Sequence, residues 1–234
     1  MFPVIILSGG LGTRLGKISK KMPKCMLKLA GYPFVFHQLK LLESQGIKSA
    51  TLCLGHLGSQ VVEYIEKTYQ GNMNITYSFD GRSLLGTGGA VKKATHKIKN
   101  PFFVMYGDSY LDAPFRLIQD SYILNAGPLM VIFKNKGLYD TSNVHLSGNR
   151  IYYNKTKPHS DSEYIDYGLS ILENHHFRSM DNHFDLSLIQ EKYSKLECLQ
   201  FFEAKQRFYE IGSLQGLEET EALINKHYEK NRKI

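Results

Sequence analysis

Val4-Ile5-Ile6-Leu7-Ser8-Gly9-Gly10-Leu11-Gly12-Thr13-Arg14-Leu15-Gly16 is the stretch on which the reading of this chain turns. Its first four residues are a short apolar run of the kind that forms a buried strand. Four glycines and an arginine follow within the next nine residues. Glycine allows positive φ and close approach of the backbone to a ligand, and successive amides in such a turn form an anion-binding nest. A phosphate-bearing ligand therefore fits this loop. A dinucleotide fingerprint does not fit, because Leu15 stands where GxGxxG needs its third glycine and the next strand ends Leu54-Gly55-His56 with no acidic residue. A P-loop fails too: Lys17 follows Gly16, but Ile18 replaces the required Ser or Thr. An ordinary tight turn would leave Arg14 and the basic residues beyond it without a reason.

Outward from this loop, short apolar runs alternate with amphipathic segments. The apolar spacing of Phe34–Leu42 predicts a helix ended by Gly46. Strands are expected at Ala50–Leu54, Ile75–Phe79 and Phe102–Tyr106, with helices at about Ser59–Tyr69 and Ala90–Lys97. Such alternation argues for βαβ units and a mostly parallel sheet with helices on both faces. From about Leu129 the pattern changes. Leu129–Phe133, Asn143–Leu146, Arg150–Tyr153 and Ile165–Leu172 read as strands with little helix between them, an antiparallel extension of the sheet. Leu186–Tyr193 reads as a helix, Leu199–Phe202 as a short strand and Leu214–Tyr228 as a closing helix. With no repeat or linker in view, one domain over 1–234 is the expectation, its two halves meeting where the pattern changes, at about 128 and 129.

Composition sets limits. The chain of 234 residues is 42% hydrophobic, ample for a sizeable core, and no run approaches the roughly 20 apolar residues of a membrane span. Its start lacks the marks of a signal peptide and reads as the first core strand of a cytoplasmic protein. Cys25, Cys53 and Cys198 lie far apart without a CxxC pair, so neither disulfides nor zinc are indicated. The net charge of +7 is scattered apart from Lys17–Lys28 and the tail Lys230–Lys233. Without an aromatic RNA motif or a DNA-reading helix, a small polyphosphate explains the first cluster better than nucleic acid does. The nine histidines show no metal-ligand spacing and are expected to be exposed or core residues.

Four segments in order resemble one family. GGLGTRL with Pro23-Lys24 is similar to the GGxGTRL…PK signature of the sugar-phosphate nucleotidylyltransferases. Leu85-Gly86-Thr87-Gly88-Gly89 resembles its LGT(A/G)GA base-binding segment. Phe103–Ser109 resembles its strand ending in Gly-Asp, and Phe208-Tyr209-Glu210-Ile211-Gly212 its late (W/Y)xD(I/V)G element. The fold this implies is the Rossmann-like glycosyltransferase-A type, an α/β nucleotidyltransferase with a mixed, mostly parallel sheet. The activity implied is transfer of a nucleoside monophosphate from a nucleoside triphosphate to a sugar 1-phosphate.

That chemistry assigns roles. The nucleophile is already an anion, so positioning and charge neutralisation suffice without a base. Arg14, with its planar fork of donors, is expected at the β- and γ-phosphates. The resemblance places Lys24 at the α-phosphate. Asp108, just past an apolar strand at the carboxyl edge of the sheet, suits Mg²⁺ as a hard oxygen ligand. The family's second metal ligand is an aspartate where this chain has Glu210, whose carboxylate stands about one bond farther out. Ser8, Gly9, Gly10, Gly12, Thr13, Gly86 and Thr87 are expected around base and ribose. Tyr153-Asn154-Lys155-Thr156-Lys157-Pro158 takes the place of the family's EKP segment without its glutamate, leaving Lys155 and Lys157 as candidates for the sugar phosphate, Lys155 favoured. Ile165-Asp166-Tyr167-Gly168 resembles the family's INxG turn, making Asp166 and Gly168 candidates beneath the sugar.

The chain looks most like the heptose and mannose 1-phosphate guanylyltransferases. Uridylyl- or cytidylyltransferases of the same fold are the alternative. A nucleotide-sugar-binding regulator without catalysis is the rival class, kept alive by Glu210 and the missing EKP glutamate. The partners expected are a nucleoside triphosphate and a sugar 1-phosphate, with no nucleic acid and no membrane. Sugar, base and any homo-oligomer stay open.

Overall fold

The structure, a computed structural model, describes residues 1–10 and 22–232, with 230–232 in their backbone alone. Its first half runs β1 (Val4–Leu7), β2 (Lys28–Leu29), β3 (Tyr32–Pro33), α1 (Phe34–Ser44), β4 (Ser49–Leu54), α2 (Gly58–Thr68), β5 (Asn74–Phe79), α3 (Gly86–Thr95), β6 (Phe102–Tyr106), β7 (Ser109–Tyr110) and α4 (Phe115–Ser121). The second half runs β8 (Leu129–Lys134), β9 (Val144–Ser147), β10 (Arg150–Tyr153), β11 (Tyr164–Leu172), α5 (Ser187–Lys195), β12 (Gln200–Ala204), β13 (Tyr209–Glu210) and α6 (Leu214–Arg232).

One nine-stranded sheet carries the order β10-β9-β11-β6-β1-β4-β5, with β8 on β11 and β12 on β8. β1 lies parallel to both β4 and β6, and β4 parallel to β5. β11 joins β6 antiparallel and starts the antiparallel extension read from the sequence, which β8, β9 and β10 continue. β12 departs from it, pairing parallel with β8.

Both faces of the sheet are covered, which is why its central strands are apolar without alternation. Val4 and Ile6 face one core with Val35 and Leu39 of α1, Val61 and Ile65 of α2, and Phe115 and Ile118 of α4. Ile5 points the other way, into a core with Val91 of α3, Phe184 and Ile189. Each of these residues except Phe184 is at most 2% exposed. At about 25 cal/mol per Å² of apolar area, each fully buried aliphatic or aromatic side chain contributes roughly 1.5–3 kcal/mol. A third cluster, with Leu29, Phe34, Tyr110, Ile211 and Ile224, docks α6 beside β2 and β7.

The helices follow the sequence closely, with two differences. α3 begins at Gly86, four residues before the expected Ala90, so the glycine segment lies inside its first turn rather than ahead of the helix. α4 and the short pairs β2–β3 and β7–β13 were not expected; they are too short to carry a periodic signal.

Candidate active site

A cavity of about 310 Å³ opens at the carboxyl ends of β1, β4, β5 and β6. This is the edge where open α/β sheets bind ligands. Ser8, Gly9 and Gly10 from the end of β1 line it, as do Lys24, Gly86, Thr87 and Asp108. Seven residues from three separate sequence motifs thus share one cavity. Gly12, Thr13 and Arg14, with Lys17, Lys20 and Lys21, lie outside the described residues.

Lys24 opens a single 3-10 turn whose sharp reversal follows Pro23. Its Nζ lies 2.7 Å from Asp108 Oδ2, with side-chain exposures of 13% and 31%. Asp108 sits in the two-residue turn between β6 and β7, and its carbonyl accepts a hydrogen bond from Ile211 N–H at 2.9 Å. β13 is held beside β7 with Glu210 opposite Ser109. The late motif is thereby brought about 100 residues back to the first half of the chain. Glu210 Oε2 accepts from Gly212 N–H at 2.6 Å, and Oε1 from the Ser213 hydroxyl at 3.3 Å. A Cβ built on Gly212 would stand 3.0 Å from Lys24 Nζ and would overlap Glu210 Oε2. Lys24 and Asp108 therefore pair on the wall of the cavity, and the Glu210 carboxylate stands close to Lys24 behind them.

Two buried thiols also line the cavity. Burial pushes the thiols of Cys25 and Cys53 up to about 12, so both are neutral at physiological pH and unfit as nucleophiles. Ser8 Oγ is buried without a hydrogen-bond partner among the described residues, on the wall of the cavity.

The glycine segment of α3 has a packing reason as well. Gly86 has φ +71°, a backbone state that side-chain-bearing residues rarely adopt, and a Cβ there would lie 2.5 Å from the Phe184 carbonyl. A Cβ on Gly88 would overlap the Phe184 ring. The amides of Gly88 and Gly89 both donate to Phe184 O, at 2.9 and 3.3 Å. Thr87 Oγ1 accepts from Leu186 N–H at 2.8 Å. Two of the helix's first-turn amides are thus tied to the 184–186 segment, while Gly86 and Thr87 remain on the cavity wall.

Beyond Tyr106, which also lines the cavity, stands a second polar cluster. Lys155 Nζ pairs with Asp185 Oδ2 at 2.7 Å. Asp166 lies where the β11–β8 register shifts, beside Gly168 with φ +81°, and its Oδ1 accepts from Gly168 N–H at 2.9 Å. Burial pushes the Asp166 carboxyl up to about 6, against the lowering by that amide and by Lys155. Of the two candidate lysines, Lys155 joins this cluster. Lys157 is exposed, and its backbone N–H donates to Asn154 Oδ1.

Sequence reasoning missed Asp185 and Asp80, which carry no motif of their own, and gave no role to Tyr106, which lies within the strand segment ending in Gly107-Asp108. For Asp80 a signal existed: like Asp108 it stands just past a strand, at the edge where ligands bind. The histidines yield one group not foreseen: among the described residues Glu173, His175 and His176 have ligand-type atoms within 4.8 Å of one another. A capping interaction accounts for it, since His176 Nδ1 accepts from Glu173 N–H at 3.0 Å.

Comparisons with known proteins give the family of the chain. The family model "Nucleotidyl transferase" matches residues 3–141. The chain belongs to this family. A D-glycero-alpha-D-manno-heptose 1-phosphate guanylyltransferase of Campylobacter jejuni is 34% identical over 136 residues, covering 58% of this chain and 59% of that protein. A mannose-1-phosphate guanyltransferase of Saccharomyces cerevisiae is 31% identical over 127 residues, 53% of this chain and 35% of that protein. The match thus spans between about a third and three-fifths of these curated relatives. The crystal structure of HddC from Yersinia pseudotuberculosis superposes with a TM-score of 0.79 at 25% identity, covering 95% of this chain and 99% of that one. The nucleotidyltransferase fold expected from the sequence, a mixed sheet with helices on both faces, is the fold observed.

Proposed function

We propose that this chain transfers a nucleoside monophosphate from a nucleoside triphosphate to a sugar 1-phosphate, with GTP and a heptose or mannose 1-phosphate as the favoured pair. The observation that carries the reading is the Lys24–Asp108 pair on the wall of a cavity shared with Ser8, Gly9, Gly10, Gly86 and Thr87, with Glu210 close to Lys24. The guanylyltransferase relatives favour the base and sugar chosen. A phosphate oxygen of the sugar 1-phosphate forms a bond to the α-phosphorus, the bond from that phosphorus to the α,β-bridging oxygen breaks, and pyrophosphate leaves in line. No proton needs to move, so no base is required.

In this mechanism Lys24 leaves Asp108 and donates to an α-phosphate oxygen, where its charge offsets that developing in the transition state. Arg14 is assigned to the β- and γ-phosphates on sequence grounds. Two carboxylates at one corner, both oxygen donors, fit a hard divalent cation such as Mg²⁺, which takes one or two carboxylates with waters and phosphate oxygens. Asp108 and Glu210 are the residues that would hold it. Bound there, the ion would neutralise triphosphate charge. On the far side of Tyr106, Lys155 is the residue proposed for the sugar phosphate, and Asp166 with Gly168 for the sugar hydroxyls. Residues 1–128 and 129–234 then divide the two substrates, except that Glu210 returns to the nucleotide side. Among the described residues no helix is long and apolar enough to cross a membrane; the cytoplasm, where nucleoside triphosphates are supplied, is the site proposed.

The test is pyrophosphate release with GTP, UTP, CTP and dTTP, each against a panel of sugar 1-phosphates including heptose and mannose. Turnover with GTP and one of those two sugars is expected. Tight binding of a nucleotide sugar with no turnover for any pair would favour the non-catalytic regulator.

A further inference from the structure

Asp80 follows β5 and lines the same cavity as Lys24 and Asp108, at its opposite end. In the order β6-β1-β4-β5 the strand before Asp80 stands three positions from the strand before Asp108. At about 4.8 Å per strand the ends of these two strands are roughly 14 Å apart, room for a nucleoside and its phosphates laid across the strand ends between them. If the ion-paired corner takes the phosphates, Asp80 faces the base.

The position of this carboxylate is fixed. The backbone N–H of Asp80 donates to Leu54 O at 2.9 Å. Gly9 lies against it, since a Cβ built there would stand 3.5 Å from Asp80 Oδ2. Oδ2 accepts a long bond, 3.4 Å, from Leu85 N–H. Lys93 turns its Nζ to the carbonyls of Phe79 and Asp80, at 2.6 and 3.5 Å, rather than to the carboxylate. An ionised carboxyl offers about four acceptor sites and no donor. Burial raises the carboxyl of Asp80, while Leu85 N–H and Lys93 oppose the rise, as expected for an acceptor partly withdrawn from water.

We propose that Asp80 selects guanine, its carboxylate accepting hydrogen bonds from N1–H and the 2-amino group of the base. This rests on the nucleotidyl-transfer reading of the cavity and adds the residue that chooses the triphosphate. Guanine is the common base with two adjacent donors on one edge. Uracil and thymine present a single N–H flanked by carbonyls, whose lone pairs would face the carboxylate. Cytosine and adenine place an amino group beside an acceptor nitrogen. The site therefore rewards the right base and repels the others with the same atoms. Hydrogen bonds to a charged partner are stronger than neutral ones, and losing one costs about 10- to 100-fold in affinity.

Calorimetric titration of GTP, ITP, UTP and CTP into the wild-type chain and Asp80→Asn tests this. ITP is GTP without the 2-amino group, so the GTP-to-ITP affinity ratio reads that contact directly. The ratio is measured within one protein sample, so a partly unfolded variant does not distort it. The wild type is expected to bind GTP at least about 10-fold more tightly than ITP, and Asp80→Asn to bring that ratio near one while leaving UTP binding within about twofold. A preference for GTP over ITP that survives in Asp80→Asn, or a wild type that prefers UTP or CTP, would overturn the assignment of Asp80 and leave the nucleotidyl-transfer reading intact. Failure of all four triphosphates to bind would remove both.

Discussion

The Lys24–Asp108 corner of the cavity and the polar cluster beyond Tyr106 were written into the sequence in different ways. At the phosphate corner, Lys24 and Asp108 each follow a recognisable string, and the fold had little freedom in placing them: a loop at the carboxyl end of a parallel strand opens at the ligand edge wherever that strand lies. At the sugar side the strings are degraded, and the residues that meet, Lys155, Asp166 and Asp185, come from β10's exit, a register shift within β11 and the segment before α5. Nothing local joins them. A site made of strand-end loops is legible from short motifs, whereas one made by antiparallel pairing depends on register, which single residues do not announce.

The largest effect should come from the corner that was legible. Lys24→Ala and Asp108→Asn are each expected to lower pyrophosphate release by about 10²- to 10³-fold, the usual effect of removing a group aimed at developing charge. Stability should barely move, because a pair this close to solvent contributes about 0–1 kcal/mol. A fall in activity matched by a fall in melting temperature would mean that the pair is structural. Normal turnover in a folded Lys24→Ala protein would remove the observation on which the functional reading stands.

The sugar side offers a smaller contrast. Lys155→Ala is expected to raise KM for the sugar 1-phosphate about 10-fold, the loss of one charge-assisted contact, with KM for the triphosphate unchanged. Lys157→Ala should leave both within about twofold. Reversal of the two phenotypes would show that Lys155 is held by Asp185 for structure alone. The sequence favoured Lys155 only narrowly, because the two lysines stand two residues apart on a loop; the ion pair of Lys155 with Asp185, 30 residues away, widens the contrast between them.

Similar physics explains the other differences between sequence and structure. The start of α3 was hidden because glycine is a poor helix former. Only the approach of Phe184, nearly 100 residues later, makes glycine necessary at Gly86 and Gly88. Glu210 was found by motif, but its place near Lys24 depends on β13 lying against β7. The βαβ half and its core were legible because periodicity reports burial directly.

The smallest effect separates a carboxyl kept for function from one kept for packing. Asp166 ionises near pH 6 in the folded protein, against about 4 when unfolded. Between those values the native state holds the proton that the unfolded state has released, so stability falls as pH rises from about 4 to 6 and stays lower above. Asp166→Asn keeps an oxygen for Gly168 N–H and removes the charge. It should therefore match the wild type in urea at pH 4 and exceed it at pH 8, by about 1 kcal/mol once partial hydration of the site is allowed for. If the variant is also slower with sugar 1-phosphate at pH 8, a carboxylate that weakens the fold is retained there for the substrate. Equal stability at both pH values would mean that water reaches Asp166 freely, and that this end of the site is more open than its neighbours Tyr106 and Tyr153 suggest.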